Sequence, residues 1–182
     1  MIPTTTTDPT SLRDAYAHVP TGVTALCAEL DGELVGMAAS SFTAVSLDPP
    51  LVSVCVMHGS RTWRRLREAP RLGVSVLAAG QGHACRSLGA REGDRFAGVD
   101  PVVQPGGAVL LRGAAVWLDC EVQGHLPGGD HDIVLLRVGG LGVDPAADPL
   151  VHHAGGFREL VPAGRAAARP AVVPTVLEGA VS

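Results

Sequence analysis

Short apolar, β-prone runs recur along this chain, and Gly, Pro or Asp ends nearly every one of them. The clearest are GVTALCAEL (Gly22–Leu30), ELVGMAA (Glu33–Ala39), LVSVCVM (Leu51–Met57), RLGVSVLAA (Arg71–Ala79) and HDIVLLRVGGLGV (His131–Val143). With 23 Gly and 14 Pro in 182 residues, the punctuation leaves no space for long helices. VLLRGAAVWLDCEVQGHL (Val109–Leu126) adds a long strand or two, bent near Gly113. Asp31–Glu33 and the PGGD at Pro127–Asp130 read as hairpin turns. Six or seven strands joined mostly by hairpin-length turns predict a mainly β, mainly antiparallel closed or split barrel, not a doubly wound sheet.

Short helices are expected between the strands. SRTWRRLREA (Ser60–Ala69) puts Trp63 and Leu66 on one face and has Ser60 as N-cap. A second is expected around His83–Leu88, and a third over Ser11–Ala17 with Ser11 as cap. The predicted organisation is a disordered Thr/Pro-rich arm at 1–10, one domain at 11–161 and an Ala/Pro-rich tail at 162–182.

The formal net charge of −4 provides no basis for general nucleic-acid binding. Charge is unevenly spread, however. Eight arginines lie between Arg61 and Arg95, opposed only by Glu68, Glu92 and Asp94. Such a patch suits a small phosphate or diphosphate ligand, or it is a solvated helix face. Cys27, Cys55, Cys85 and Cys120 are widely spaced and read as small buried hydrophobes, without a disulfide framework or zinc site. MIPTTTTDPT lacks the pattern of a signal peptide, and no apolar run reaches membrane-spanning length, so a cytoplasmic protein is expected.

Three places could carry chemistry. In Gly36–Val56, Ser40, Ser41, Thr43 and Ser46 form a loop between two strands, with Met37 and Val56 as apolar wall. It either holds a polar ligand or dresses the turn before Asp48-Pro49-Pro50. Ser60-Arg61-Thr62 follows a strand and opens a helix: a phosphate contact or an ordinary cap. Gly128-Gly129-Asp130-His131 joins two strands, and His131 there is a donor, stacking partner or proton source, or part of a surface hairpin. His152 and His153 are adjacent and point to opposite faces, which disfavours a metal. The chain has no good GxGxxG or GxxxxGK[ST] loop and no GxSxG elbow.

Taken in order, PTGV (Pro20–Val23), GMAASSFTAVSLDPPLVSVCV (Gly36–Val56), SRTW (Ser60–Trp63), GVSVLAAGQ (Gly73–Gln81), DRF (Asp94–Phe96), GGDH (Gly128–His131) and PLVHHAGGFREL (Pro149–Leu160) resemble the flavin reductase family of two-component monooxygenase systems. The resemblance implies a Greek-key-like split β-barrel with short inserted helices that binds FMN or FAD and forms a homodimer. It implies reduction of the flavin by NADH or NADPH, and transfer of diffusible reduced flavin to a separate monooxygenase or halogenase. Carried over by position, Met37, Ala38, Ala39, Ser40 and Ser41 face the flavin ring edge and ribityl chain, and Val56 and Met57 line the ring. Ser60, Arg61, Thr62 and Arg95 fall near phosphate. Gly129, Asp130 and His131 fall near the nicotinamide, with His131 the candidate catalytic residue.

Three positions depart from the family pattern: Ala38 where Thr is frequent, Ser75 where Asn is common, and Leu88 where Phe is usual. Two other functions share this fold: a barrel holding flavin tightly and acting directly on an organic substrate, and a ligand-binding barrel without catalysis.

Overall fold

In the computed structural model, which describes residues 8–161, seven strands form one antiparallel sheet in the order β3-β2-β6-β9-β10-β5-β4. In chain order these are β2 (Thr24–Leu30), β3 (Glu33–Ala39), β4 (Thr43–Leu47), β5 (Pro50–Met57), β6 (Leu72–Val76), β9 (Val116–Gly128) and β10 (His131–Val143). β1 (Thr21–Gly22), β11 (Val151–His153) and β12 (Gly156–Arg158) make a second small sheet; β7 (Pro101–Val103) pairs with β8 (Val109–Leu111). The helices are α1 (Pro9–Ala17), α2 (Arg61–Leu66) and α3 (Gly82–Gly89).

Period-two alternation sorts the core into two. On β2, Leu26 and Ala28 face one cluster and Ala25 and Cys27 the other. The first cluster joins Val35 of edge strand β3 to Val52, Val54 and Val56 near the opposite edge, so the sheet curls around it; Trp63 and Leu66 of α2 close its end. The second lies between the outer face of β2–β6 and a cover of α3 and β8. On β6 that outer face carries Gly73 and Ser75. A Cβ on Gly73 would stand 2.0 Å from the Val109 carbonyl oxygen, so only Gly admits β8. Ser75 is fully buried, and its hydroxyl accepts from Leu111 N–H at 3.0 Å. The hydroxyl thus meets the hydrogen-bonding need of a buried backbone N–H.

The hairpin at Asp31–Gly32 has positive φ at both residues, the geometry of a type I′ turn, and pairs Leu30 with Glu33. Ser60 caps α2 as expected, its Oγ accepting from Trp63 N–H at 3.1 Å.

Several expectations are corrected. The first helix starts at Pro9, and its cap is Asp8 rather than Ser11, with the Asp8 carboxylate accepting from the N–H groups of Thr10 and Ser11. Pro9 and Thr10 therefore belong to a helix; the rest of the expected arm, residues 1–7, and the expected tail 162–182 lie outside the described residues. The supposed loop between β3 and β5 is half strand: Thr43–Leu47 is β4, paired with β5, leaving residues 40–42 irregular and a turn at Asp48-Pro49. Cys55 is exposed, because β5 points Val52, Val54 and Val56 inward and the intervening positions outward.

Candidate active site

A cleft of 830 Å³ opens where the end of β3, the start of α2 and the hairpin end of β5–β10 converge. From the expected set, Met37, Ala38, Ala39, Ser40, Ser41, Val56, Met57, Ser60, Arg61, Thr62, Arg95 and His131 line it; Gly129 and Asp130 do not. Val56 is only 1% exposed, with its side chain in the barrel core, so Cys55 and Met57 are the outward residues on this stretch. The cleft also includes residues absent from the expected set, notably Cys55, Leu88, Arg91 and Glu92. The signal for Cys55 was available in the alternation of β5.

The serines have different tasks. Ser41 Oγ accepts from Cys55 N–H at 2.9 Å and donates to Cys55 C=O at 3.1 Å. One hydroxyl therefore extends the pairing of β5 beyond the end of β4, with both of its bonds going to backbone. Ser40 is exposed, and among the described residues neither its hydroxyl nor the backbone N–H groups of Ser40 and Ser41 donate to protein. Those are the donors the rim retains.

Arg95 is half-buried, and its Nη1 donates to Thr62 Oγ1 at 2.8 Å and to Gly36 C=O at 3.2 Å, tying α2 to β3. The broad basic patch resolves into separate parts. Arg65 pairs with Glu33 at 2.7 Å, Arg67 with Glu68 at 3.0 Å and Arg71 with Asp119 at 2.9 Å, while Arg86 lies over the Phe157 ring. Arg61, Arg91 and Arg95 are the ones that give the cleft its positive charge.

His131 enters from the first position of β10, opposite Met57. Its Nδ1 lies 2.7 Å from Asp130 Oδ1, and the bond to His131 holds the Asp130 carboxyl below its ordinary range. An ionised carboxylate only accepts, so Nδ1–H of His131 donates to Asp130. A second pair, His58 Nε2 to Asp132 Oδ1 at 3.1 Å, closes the same hairpin end. Burial pushes the thiols of Cys27 and Cys120 up to about 12, so neither is a nucleophile at neutral pH. Among the described residues, no three His, Cys, Asp or Glu side chains gather as a metal site, and no helix is long and apolar enough to cross a membrane.

The size of the cleft falls within the ~300–1,000 Å³ usual for small-molecule sites. Where Ala38, Ala39 and Ser40 line it there is no long side chain, so a flat ring can lie close to backbone donors. Arg61 of α2 and Arg91 and Arg95 from the segment after α3 supply cationic side chains, and His131 brings its ring from β10. That constellation fits a flavin with a nicotinamide beside it.

The flavin reductase like domain family matches residues 16–161. This chain belongs to the flavin reductase family. It is 36% identical over 155 residues to the reductase subunit HsaB of a flavin-dependent monooxygenase from Rhodococcus jostii, covering 85% of this chain and 80% of that one. Among solved structures, the NADH:FAD oxidoreductase SgcE6 of Streptomyces globisporus, in complex with NAD and FAD fragments, superposes with a TM-score of 0.82. That match has 38% identity and covers 87% of this chain and 96% of the other. BorF, the flavin reductase component of a bacterial two-component tryptophan halogenase, has a TM-score of 0.74 at 35% identity, covering 83% and 97%. The expected split β-barrel and the expected class, an oxidoreductase using flavin and nicotinamide, are both borne out.

Proposed function

We propose that this chain reduces FMN or FAD with NADH or NADPH and passes the reduced flavin, free in solution, to a separate monooxygenase or halogenase. The observation that carries the proposal is the single cleft in which a small-residue stretch, three arginines and His131 meet on the frame of a flavin reductase. A bound flavin would supply the electron-accepting ring and a bound nicotinamide the hydride. What remains for the protein is placement and distance.

Ala38, Ala39 and Ser40 leave room for the ring, and the Ser40 and Ser41 N–H groups donate to its polar edge. Arg61 and Arg95 neutralise phosphate, with Thr62 held in place by the Arg95 bond. His131, its Nδ1–H fixed by Asp130, turns Nε2 to the carboxamide of the nicotinamide. Its role is positioning; no proton need leave or arrive there. His131→Ala is expected to raise the apparent nicotinamide KM more than it lowers kcat, and an unchanged KM would remove that role.

On this reading the chain works in the cytoplasm as a homodimer. In its support, Cys55, Ile133 and Leu126 stand side by side across β5, β10 and β9 with Ile133 37% and Leu126 55% exposed, an apolar face that a second copy would cover. Light scattering on the eluting protein tests the dimer.

The deciding assay is steady-state oxidation of NADH and of NADPH, with and without added FMN or FAD. Turnover that depends on added flavin is the expected result. A yellow protein indifferent to free flavin would instead be an enzyme with its own organic substrate. A colourless protein without turnover would be a binding barrel.

A further inference from the structure

We infer that His58 and Asp132, which stand outside the cleft, are positioning residues: together they hold His131 at the place where it meets the nicotinamide. The inference rests on the flavin-reductase reading of His131 and deepens it. His131 sits at a weakly supported point of the frame. Its pair with Met57 is the last of the β5–β10 ladder, and the tip beyond it carries Gly128-Gly129, which has no side chain to brace it. Asp130 fixes the direction of the His131 ring, at 2.7 Å. Yet the Asp130 side chain is 87% exposed and belongs to the same hairpin. It travels with His131 and does not fix where the hairpin lies.

His58 supplies that second reference. It follows β5 and grips the hairpin on both flanks of His131. Its backbone N–H donates to Asp130 C=O at 3.1 Å, and its Nε2 lies 3.1 Å from Asp132 Oδ1. A carboxylate accepts, so the imidazole N–H donates. Successive side chains of a strand point to opposite faces, which turns Asp132 away from the face that carries His131. The clamp therefore closes behind the cleft: Met57, Gly59 and His131 line it, and His58 and Asp132 do not.

The same turn reaches the flavin side. Ser60 N–H donates to Met57 C=O at 3.0 Å, and Ser60 caps α2, which begins with Arg61. One turn, Met57 to Ser60, thus joins the arginine proposed for the flavin phosphate to the histidine proposed for the nicotinamide. Hydride transfer depends on the distance between the two rings, and a small misplacement of either is costly. His58 is the residue through which that spacing is passed to β10.

The test is steady-state turnover of the full chain with saturating FMN or FAD and varied NADH or NADPH, in a cycle of His58→Ala, Asp132→Ala and His131→Ala. Alone or together, His58→Ala and Asp132→Ala are expected to raise the nicotinamide KM about fivefold, the upper end for a partly exposed pair, with kcat within about twofold of wild type and flavin KM unchanged. Thermal midpoints within about 4 °C of wild type are expected. Asp132→Ala leaves the turn itself untouched and reads the same contact from the other side. His58→Gln, which keeps a side-chain N–H donor, should recover most of the loss. In the His131→Ala chain, His58→Ala should add nothing, because the residue it positions is gone; a contact that only stiffens the fold would act alike in both backgrounds. The inference is overturned if His58→Ala and Asp132→Ala leave the nicotinamide KM unchanged, if they raise it by the same factor with and without His131, or if they raise the flavin KM equally. A wild-type chain that oxidises neither nicotinamide with either flavin removes the reductase reading and the inference with it; wild-type turnover with a flat cycle removes the positioning pair alone.

Discussion

At Gly73 two strands touch backbone to backbone; at Ser41 a side chain does the work of a backbone. The first contact, between β6 and β8, is buried and tight, with the neighbouring Ser75 hydroxyl accepting from Leu111 N–H. The second, at the rim of the cleft, is exposed, and a single hydroxyl holds both the N–H and the C=O of Cys55. The difference shows where the fold can tolerate change. Interior packing is fixed by volume and fails when an atom is added. The rim is fixed by a few hydrogen bonds between small residues, and it leaves Ser40 and two N–H groups uncommitted for a ligand.

The harshest way to break this contrast is Gly73→Ala. Its Cβ meets the Val109 carbonyl, which cannot swing aside, so a loss of about 3 kcal/mol or failure to fold is expected. Urea unfolding measures it; a midpoint equal to wild type would show that β8 shifts freely. Alkali probes the same interior. Cys27 and Cys120 are raised from 9.0 to about 12 in the folded state, so the folded chain keeps protons that the unfolded chain loses. Their contribution is complete below pH 9 and falls away as pH climbs towards 12, by about 1.4 kcal/mol per pH unit for each thiol. Cys120→Ala should flatten that decline, whatever it does to stability at neutral pH.

The rim is probed more gently. Ser41→Ala strips two bonds from partly solvated backbone and is expected to cost about 1 kcal/mol. It should also weaken flavin binding, because the wall moves. Ser40→Ala is expected to leave unfolding within ~0.5 kcal/mol of wild type and to reduce flavin affinity only a few-fold. If Ser40→Ala proved the more destabilising of the two, the division between a structural and a ligand-facing serine would be reversed.

Much of this fold is legible in the sequence where alternation meets burial. β5 reads plainly because Val52, Val54 and Val56 share the core, and α2 because Ser60 caps it and Trp63 and Leu66 share a face. β4 is hidden because it is an edge strand with four of its five residues exposed, so no apolar contrast marks it. β11 and β12, three residues each, are too short for a pattern. At the site, residue types were legible and their partners were not. Ser41 is committed to Cys55 by a register fourteen residues away, and Arg65 of α2 is withdrawn from the basic patch by Glu33 on β3. Such pairings depend on three-dimensional neighbours, which spacing along one chain does not encode.

The Arg95 brace also bears on timing. Its bonds to Thr62 and to the Gly36 carbonyl, like those of Ser41 to Cys55, are made between groups of the protein itself. An arriving flavin therefore meets walls already standing, and a departing one takes no part of the scaffold with it. On the proposed function, in which the product is handed to another enzyme, how long each flavin stays would be set by the strength of its own contacts.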